Sequence, residues 1–271
     1  MIQDLLRHTA GLTYGGGPDA GGSVGNLYPT GDSLPALPNS QAFIDKIVQL
    51  PLVYQPGTVW EYSIAFDVLA AVIEKVTKSS LSAHLSDVIW KPLGMVDTGF
   101  HIDPAKADRV ARPFPNNPLT GQPQKIVVLE QPVNFECGGG CSIGTVPDFM
   151  RFAQMLLDGG SLDGQQILSQ QFVRLMTSNH LLPEIKNNVA GVEPHRGGYG
   201  FGLGVAVRVA DGLAAVPGNP GEYSWNGAYG TGFFVDPKER LVVVFGTAAP
   251  GDLRKYYREQ IQDLVYGALT R

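Results

Sequence analysis

The sequence predicts an α/β protein of the α+β kind, with a mainly helical lobe at about residues 15–185 packed on an antiparallel sheet and flanking helix at about 196–271, all within one domain of 271 residues. Three observations predict it. Apolar residues recur at helical spacing through the first two thirds of the chain. Strand patterns separated by short turns gather only after about residue 196. Strands and helices do not alternate in the βαβ order that a parallel sheet requires.

Taken in order, residues 13–38 are rich in Gly, Pro, Asp and Ser and read as loop. Residues 40–50 (SQAFIDKIVQL) have helical spacing with Ser40 as cap. Residues 63–78 give the clearest helix, which Ser63 can cap and in which Phe66, Leu69, Ala70, Ile73 and Val76 fall on one side. A further helix starts at Leu81 and is punctuated by Pro92 and Gly94. The proline-rich stretch 102–136 is long for a loop in a compact domain, which points to function or to small irregular strands. Helices follow at Pro147–Gly160, with a glycine stop, and from Ser169. YGFGLGVAVRVA, SWNGAYGTGFFVDP and RLVVVFGTA read as strands, the last two joined by a hairpin at Asp236-Pro237-Lys238-Glu239. An amphipathic helix from Asp252 closes the chain.

Composition narrows the function. An apolar content of 44% against 17% charged residues indicates a folded globular chain. A net charge of −5 with scattered basic residues carries no electrostatic footprint for nucleic acid. No apolar run approaches the roughly 18 residues of a membrane span, and MIQDLLRHTAG lacks the pattern of a secretory signal; a cytoplasmic protein without nucleic-acid or membrane partners is expected. Cys137 and Cys141 flank Gly138-Gly139-Gly140 with no further metal ligands clustered nearby, so two reduced thiols beside a glycine turn, no metal and no cofactor are expected.

Several blocks carry chemistry when read together: Leu5-Leu6-Arg7-His8-Thr9-Ala10-Gly11-Leu12-Thr13-Tyr14-Gly15, then PGTVWEYSIAFDVLAAVIEKV around Tyr62-Ser63-Ile64, then Trp225-Asn226-Gly227-Ala228 with AYGTGFFVDP. In order and spacing, from residue 2 to about 265, they resemble the serine β-lactamase/penicillin-binding-protein superfamily, most closely its family VIII carboxylesterase branch. The resemblance implies a β-lactamase/DD-peptidase-like fold with the site in a cleft between lobes. It implies that Tyr62 moves the proton of a serine nucleophile, a role that needs its pKa lowered from about 10 by a cation. It implies that Ile64, where lactamases carry Asn, meets acyl groups through apolar contact, that Trp225 lines the cleft, that Gly227 admits the substrate closely and that the Ala228 amide supplies half of an oxyanion hole. His8 is implied to be structural. Without the resemblance, Tyr62 reads as a buried hydrogen-bonded tyrosine and Trp225 as an ordinary strand aromatic.

The family's nucleophile motif, Ser-x-x-Lys, has no counterpart: none of the lysines has a serine three positions before it. The N-terminal strand pair and the nucleophile-bearing helix of the family are therefore expected to be missing, leaving a sheet edge that favours homo-oligomers. Gly140-Cys141-Ser142-Ile143-Gly144 matches the G-x-S-x-G nucleophile elbow, but a strand–turn–helix in a parallel sheet is not foreseen around it. Ser142 stands as the alternative nucleophile. Three functions stay open: a carboxylesterase acting on small-molecule, short-chain esters through an acyl-enzyme but lacking its usual nucleophile here, an esterase using Ser142, and a non-catalytic binder using the remnant cleft.

Overall fold

Short helices tied down by side-chain caps build the first part of the molecule, whose computed structural model describes residues 1–16, 22–124 and 133–270. Parts of the expected loops 13–38 and 102–136, namely 17–21 and 125–132, lie outside the described residues. Helix α1 (Ile2–Leu6) leads into a buried polar knot in which Asp4 accepts from Thr9 Oγ1 at 2.9 Å and Arg7 Nη2 at 3.0 Å. After α2 (Gly22–Gly25), helix α3 (Ser40–Ile47) is capped by Asn39, whose side chain accepts from the Ala42 amide at 2.9 Å; Ser40, the expected cap, is already the first helical residue. Helix α4 (Ala65–Thr77) has no side-chain cap, because the Ser63 hydroxyl is engaged by His8 Nδ1 at 3.2 Å. Its inner face is Ala65, Asp67, Leu69 and Ala70; Val76, expected on that face, is 75% exposed, since the helix outruns the core before Lys78 ends it in the left-handed region.

Helix α5 (Leu81–Leu85), capped by Ser80, continues as a π-helical turn at Ser86–Trp90. Helix α6 (Val146–Leu157) is capped by Thr145 and stopped by Gly159 and Gly160, both at positive φ. A small hairpin follows, β1 (Ser161–Leu162) with β2 (Gln165–Gln166), turning through Asp163-Gly164 at positive φ. Asp-Gly is the residue pair such a turn selects. Helices α7 (Gln170–Met176), capped by Ser169, and α8 (Val189–Val192) precede the sheet.

The sheet is an antiparallel meander of β3 (Tyr199–Phe201), β4 (Ala206–Arg208), β5 (Tyr223–Asn226), β6 (Gly232–Asp236) and β7 (Leu241–Phe245). The expected hairpin joins β6 to β7, with Asp236 Oδ1 accepting from the Lys238 and Glu239 amides. Alternation along β6 divides the two faces. Phe233 and Val235 pack with Ala153, Met155 and Leu156 of α6 and Val173 of α7, whereas Phe234 stacks on Tyr266 of the terminal helix α9 (Leu253–Gly267) at 5.8 Å. Helices α6 and α7 thus pack on the sheet, together with Ile89 and Trp90 of the Ser86–Trp90 turn. Among the described residues β7 pairs on one side only, and all five of its residues are half-buried. No described helix is long and apolar enough to cross a membrane.

The helical part has its own core, where Phe43 stacks on Phe135 at 4.9 Å, both shielded from solvent, with Leu12, Leu34, Ile47 and Ile64 around them. Truncating Phe43 to Ala should cost about 3–5 kcal/mol through lost burial and an unfilled cavity, read as a lower urea midpoint with an unchanged slope.

Candidate active site

The two parts of the molecule meet at a cluster of rings, where two of the residues that sequence reasoning singled out, Tyr62 and Trp225, come together. The segment before α4 is held by backbone bonds from the Trp60 amide to the Lys186 carbonyl and from the Glu61 amide to the His8 carbonyl, both 2.9 Å. These fix Tyr62, whose ring lies 5.0 Å from His8 and 5.4 Å from both Tyr14 and Trp225. Trp225 comes from β5 in the other part, with Phe201 of β3 edge-on to it at 5.3 Å and the Arg196 guanidinium over its ring at the same distance. Offset and edge-to-face geometries of this kind are those that ring quadrupoles favour.

Tyr62 stays a neutral phenol here: burial raises its pKa, and the Trp225 side chain beside the hydroxyl only partly offsets this. His8 is buried, and desolvation lowers its pKa to about 3, so a neutral ring hydrogen-bonds Ser63; it is structural, as the resemblance implied. His195 is likewise buried, with its pKa lowered to about 3 by desolvation and by the neighbouring arginines.

Two residues that sequence reasoning missed, the half-buried Tyr14 and the buried Asp67, form a hydrogen-bonded pair beside the Tyr62 ring. Tyr14 donates to Asp67 Oδ2 at 3.1 Å, and the Gly139 amide donates to Asp67 Oδ1 at 2.9 Å. A side chain at Gly139 would crowd the Tyr14 hydroxyl at 2.6 Å, which is why the glycine run sits here. Burial raises the Asp67 carboxyl to about 6 and, with Asp67 beside it, raises the Tyr14 phenol. The signals available in the sequence were an aspartate on the inward stripe of α4 and a tyrosine just beyond His8-Thr9-Ala10-Gly11-Leu12.

The glycine run also corrects an expectation: Cys137 and Cys141 are joined as a disulfide, not two free thiols. The Cys141 amide bonds back to the Cys137 carbonyl, and this tight turn brings the Cα atoms to 5.2 Å, within disulfide range. Among the described residues no group of three or more His, Cys, Asp or Glu could hold a metal.

The other expected site residues divide. Gly227 follows the end of β5 and opens a turn in which its amide bonds the Thr231 carbonyl at 2.9 Å and its carbonyl accepts from Gly230 at 3.1 Å. Ala228 is exposed, and its amide donates to no group among the described residues, as an anion donor requires. Ile64, expected to meet acyl groups, is instead fully buried in the core around Phe43, where its place at the start of α4 turns it inward. Ser142 is exposed on an extended segment whose next residue, Ile143, bridges to Gly99; α6 starts at Val146, and no histidine hydrogen-bonds the hydroxyl among the described residues.

Tyr62 and Trp225 thus come together from separate parts of the molecule, and the motif blocks that hold them lie within a family match. The chain belongs to the Beta-lactamase family, whose profile matches residues 2–265. It is 33% identical over 256 residues to protein Rv1367c of Mycobacterium tuberculosis (strain ATCC 25618 / H37Rv), covering 90% of this chain and 61% of that one. It is 29% identical over 257 residues to esterase EstB of Burkholderia gladioli, covering 91% and 64%. Among solved structures it is similar to EstCE1, a hydrolase with promiscuous acyltransferase activity, at a TM-score of 0.76 and 25% identity over 98% of this chain and 71% of that one. The chain thus spans about three fifths of the length of these curated relatives.

Asp67 gives the site a pH signature. A carboxyl held at about 6 against 3.8 when unfolded binds its proton more tightly in the native state, so its ionisation opposes folding fully above pH 6 and not at all below about 3.8. Asp67→Asn removes that opposition. Relative to wild type, the variant should gain up to about 3 kcal/mol between pH 4 and pH 7, measured by urea unfolding across that range; a difference that stays flat with pH would contradict the assignment.

Proposed function

We propose that the cleft is the acyl-transfer site of an ester hydrolase of the esterase branch, acting on small-molecule carboxylic esters. The observation that supports this most is the convergence of Tyr62 and Trp225 from the two parts of the molecule at 5.4 Å, with the exposed Ala228, whose amide has no acceptor among the described residues, three residues beyond Trp225 in the chain. A serine oxygen attacks the ester carbonyl, and Tyr62 passes the serine proton toward the departing alkoxide. The Ala228 amide holds the oxyanion, and water then releases the acid. The aromatic walls of Trp225 and Tyr14 suit short apolar acyl groups.

In this reading the phenol works once a cation draws its pKa down, the part a Ser-x-x-Lys lysine plays. These 271 residues hold no such motif, so the nucleophile comes either from such a motif in a longer polypeptide or from Ser142. The apolar contact first assigned to Ile64 would fall to the rings.

The test is a fluorophosphonate label followed by peptide mapping, with hydrolysis of a p-nitrophenyl ester read alongside. An adduct at Ser142 names the nucleophile, and Tyr62→Phe should then lower turnover by about 10²-fold or more with an unchanged fold. Folded protein that takes no label and turns over no ester would contradict ester hydrolysis by this chain and leave the cleft as a binding site.

A further inference from the structure

Helix α9 reaches the proposed oxyanion donor from behind. Arg254 and Arg258 are one helical turn apart and project from the same face. Arg254 Nη1 donates to the Ala228 carbonyl at 2.6 Å, and Arg258 Nη2 donates to the Gly227 carbonyl. Arg258 is buried, and its other terminal nitrogen is held by Glu193 Oε1 at 2.7 Å, itself buried. The second oxygen of Glu193 faces the Asn226 side chain at 3.3 Å, and Arg196 packs against the same side chain.

The Gly227 carbonyl and the Ala228 amide are two ends of one peptide group. Planarity places them on opposite edges, so fixing the carbonyl toward α9 turns the N–H outward. A guanidinium bonded to the carbonyl also draws charge through the peptide and makes its N–H a stronger donor. We propose that Arg258, anchored by Glu193, is a positioning residue that orients and polarises the Ala228 amide for an anionic tetrahedral centre, with Arg254 holding the next peptide in the same turn. The proposal rests on the esterase reading for its purpose. The same pair links the C-terminal helix and the turn after α8 to the site, so a residue far from the chemistry in sequence governs the strength of the donor.

The experiment follows the Ala228 amide resonance in 15N-labelled protein. It compares wild type, Arg258→Lys, and the neutral pair Glu193→Gln with Arg258→Gln, which removes both charges of that buried ion pair together. The neutral pair should move the Ala228 proton upfield, while the amides of Phe233–Asp236 in the sheet keep their positions. Arg258→Lys should fall between the two. Titration with ethylphosphonate, a tetrahedral anion, should then shift Ala228 in wild type and bind about tenfold more weakly to the neutral pair. An Ala228 resonance identical in all three proteins, with the sheet intact, would overturn the positioning role. A variant-dependent Ala228 resonance that no protein shifts on adding the anion would uphold the clamp and overturn the esterase reading instead.

Discussion

The structure depends on the burial of one neutral imidazole. His8 sits in the left-handed region at φ +55°, a conformation that costs about 1–3 kcal/mol outside glycine. In return its ring touches Tyr62 and Phe66 at 5.0 Å, Phe201 at 5.5 Å and Trp60 at 5.8 Å. Phe201 belongs to the sheet; Tyr62 and Phe66 belong to the segment that opens α4. The N-terminal stretch is thus a wedge between the two parts, and it is sewn to both. The Gly204 amide bonds the Leu6 carbonyl, Arg7 bonds the His180 carbonyl, and the Val53, Gly57 and Glu61 amides bond the carbonyls of Gly11, Thr9 and His8. A charged ring could not occupy this place, which is why its pKa falls so far.

On the far side of the sheet the solution is ionic. Glu222, fully buried, is bonded by Tyr199 at 2.6 Å, by Gln262 and by Tyr266, with Arg208 at 4.0 Å. Glu193 with Arg258 forms the second pair. Buried pairs of this kind add little net stability against apolar residues of equal volume, but removing one partner is costly. They fix how α9 docks on the sheet. This polar underside and the aromatic front meet at β5, where Ser224 bonds Arg196 at 2.6 Å while Trp225 turns to Tyr62.

Much of this was legible in the residues. Helical spacing located α3, α4, α6 and α7, because each buries an apolar stripe. The turn at Asp236-Pro237-Lys238-Glu239 located the last hairpin, and the motif blocks singled out Tyr62 and Trp225, whose rings meet. What sequence alone did not reveal depends on long-range geometry. Ser63 reads as a cap until His8, far back in the chain, claims its hydroxyl. Ile64 reads as a cleft residue until the helical core closes over it. The packing of α6 on the sheet is invisible to a reading that follows chain order. The Cys137–Cys141 bond required knowing that the glycine turn between them is held by Asp67 through the Gly139 amide. The Arg258 clamp required knowing that a distant helix passes behind β5.

If the aromatic seam joins the two parts, Tyr62 and Trp225 must be energetically coupled. A double-mutant cycle with Tyr62→Leu and Trp225→Leu, read by urea unfolding, tests this most directly. The account predicts a coupling of about 0.5–1.5 kcal/mol. Effects that add to within about 0.3 kcal/mol would show that the rings do not hold the two halves of the site together.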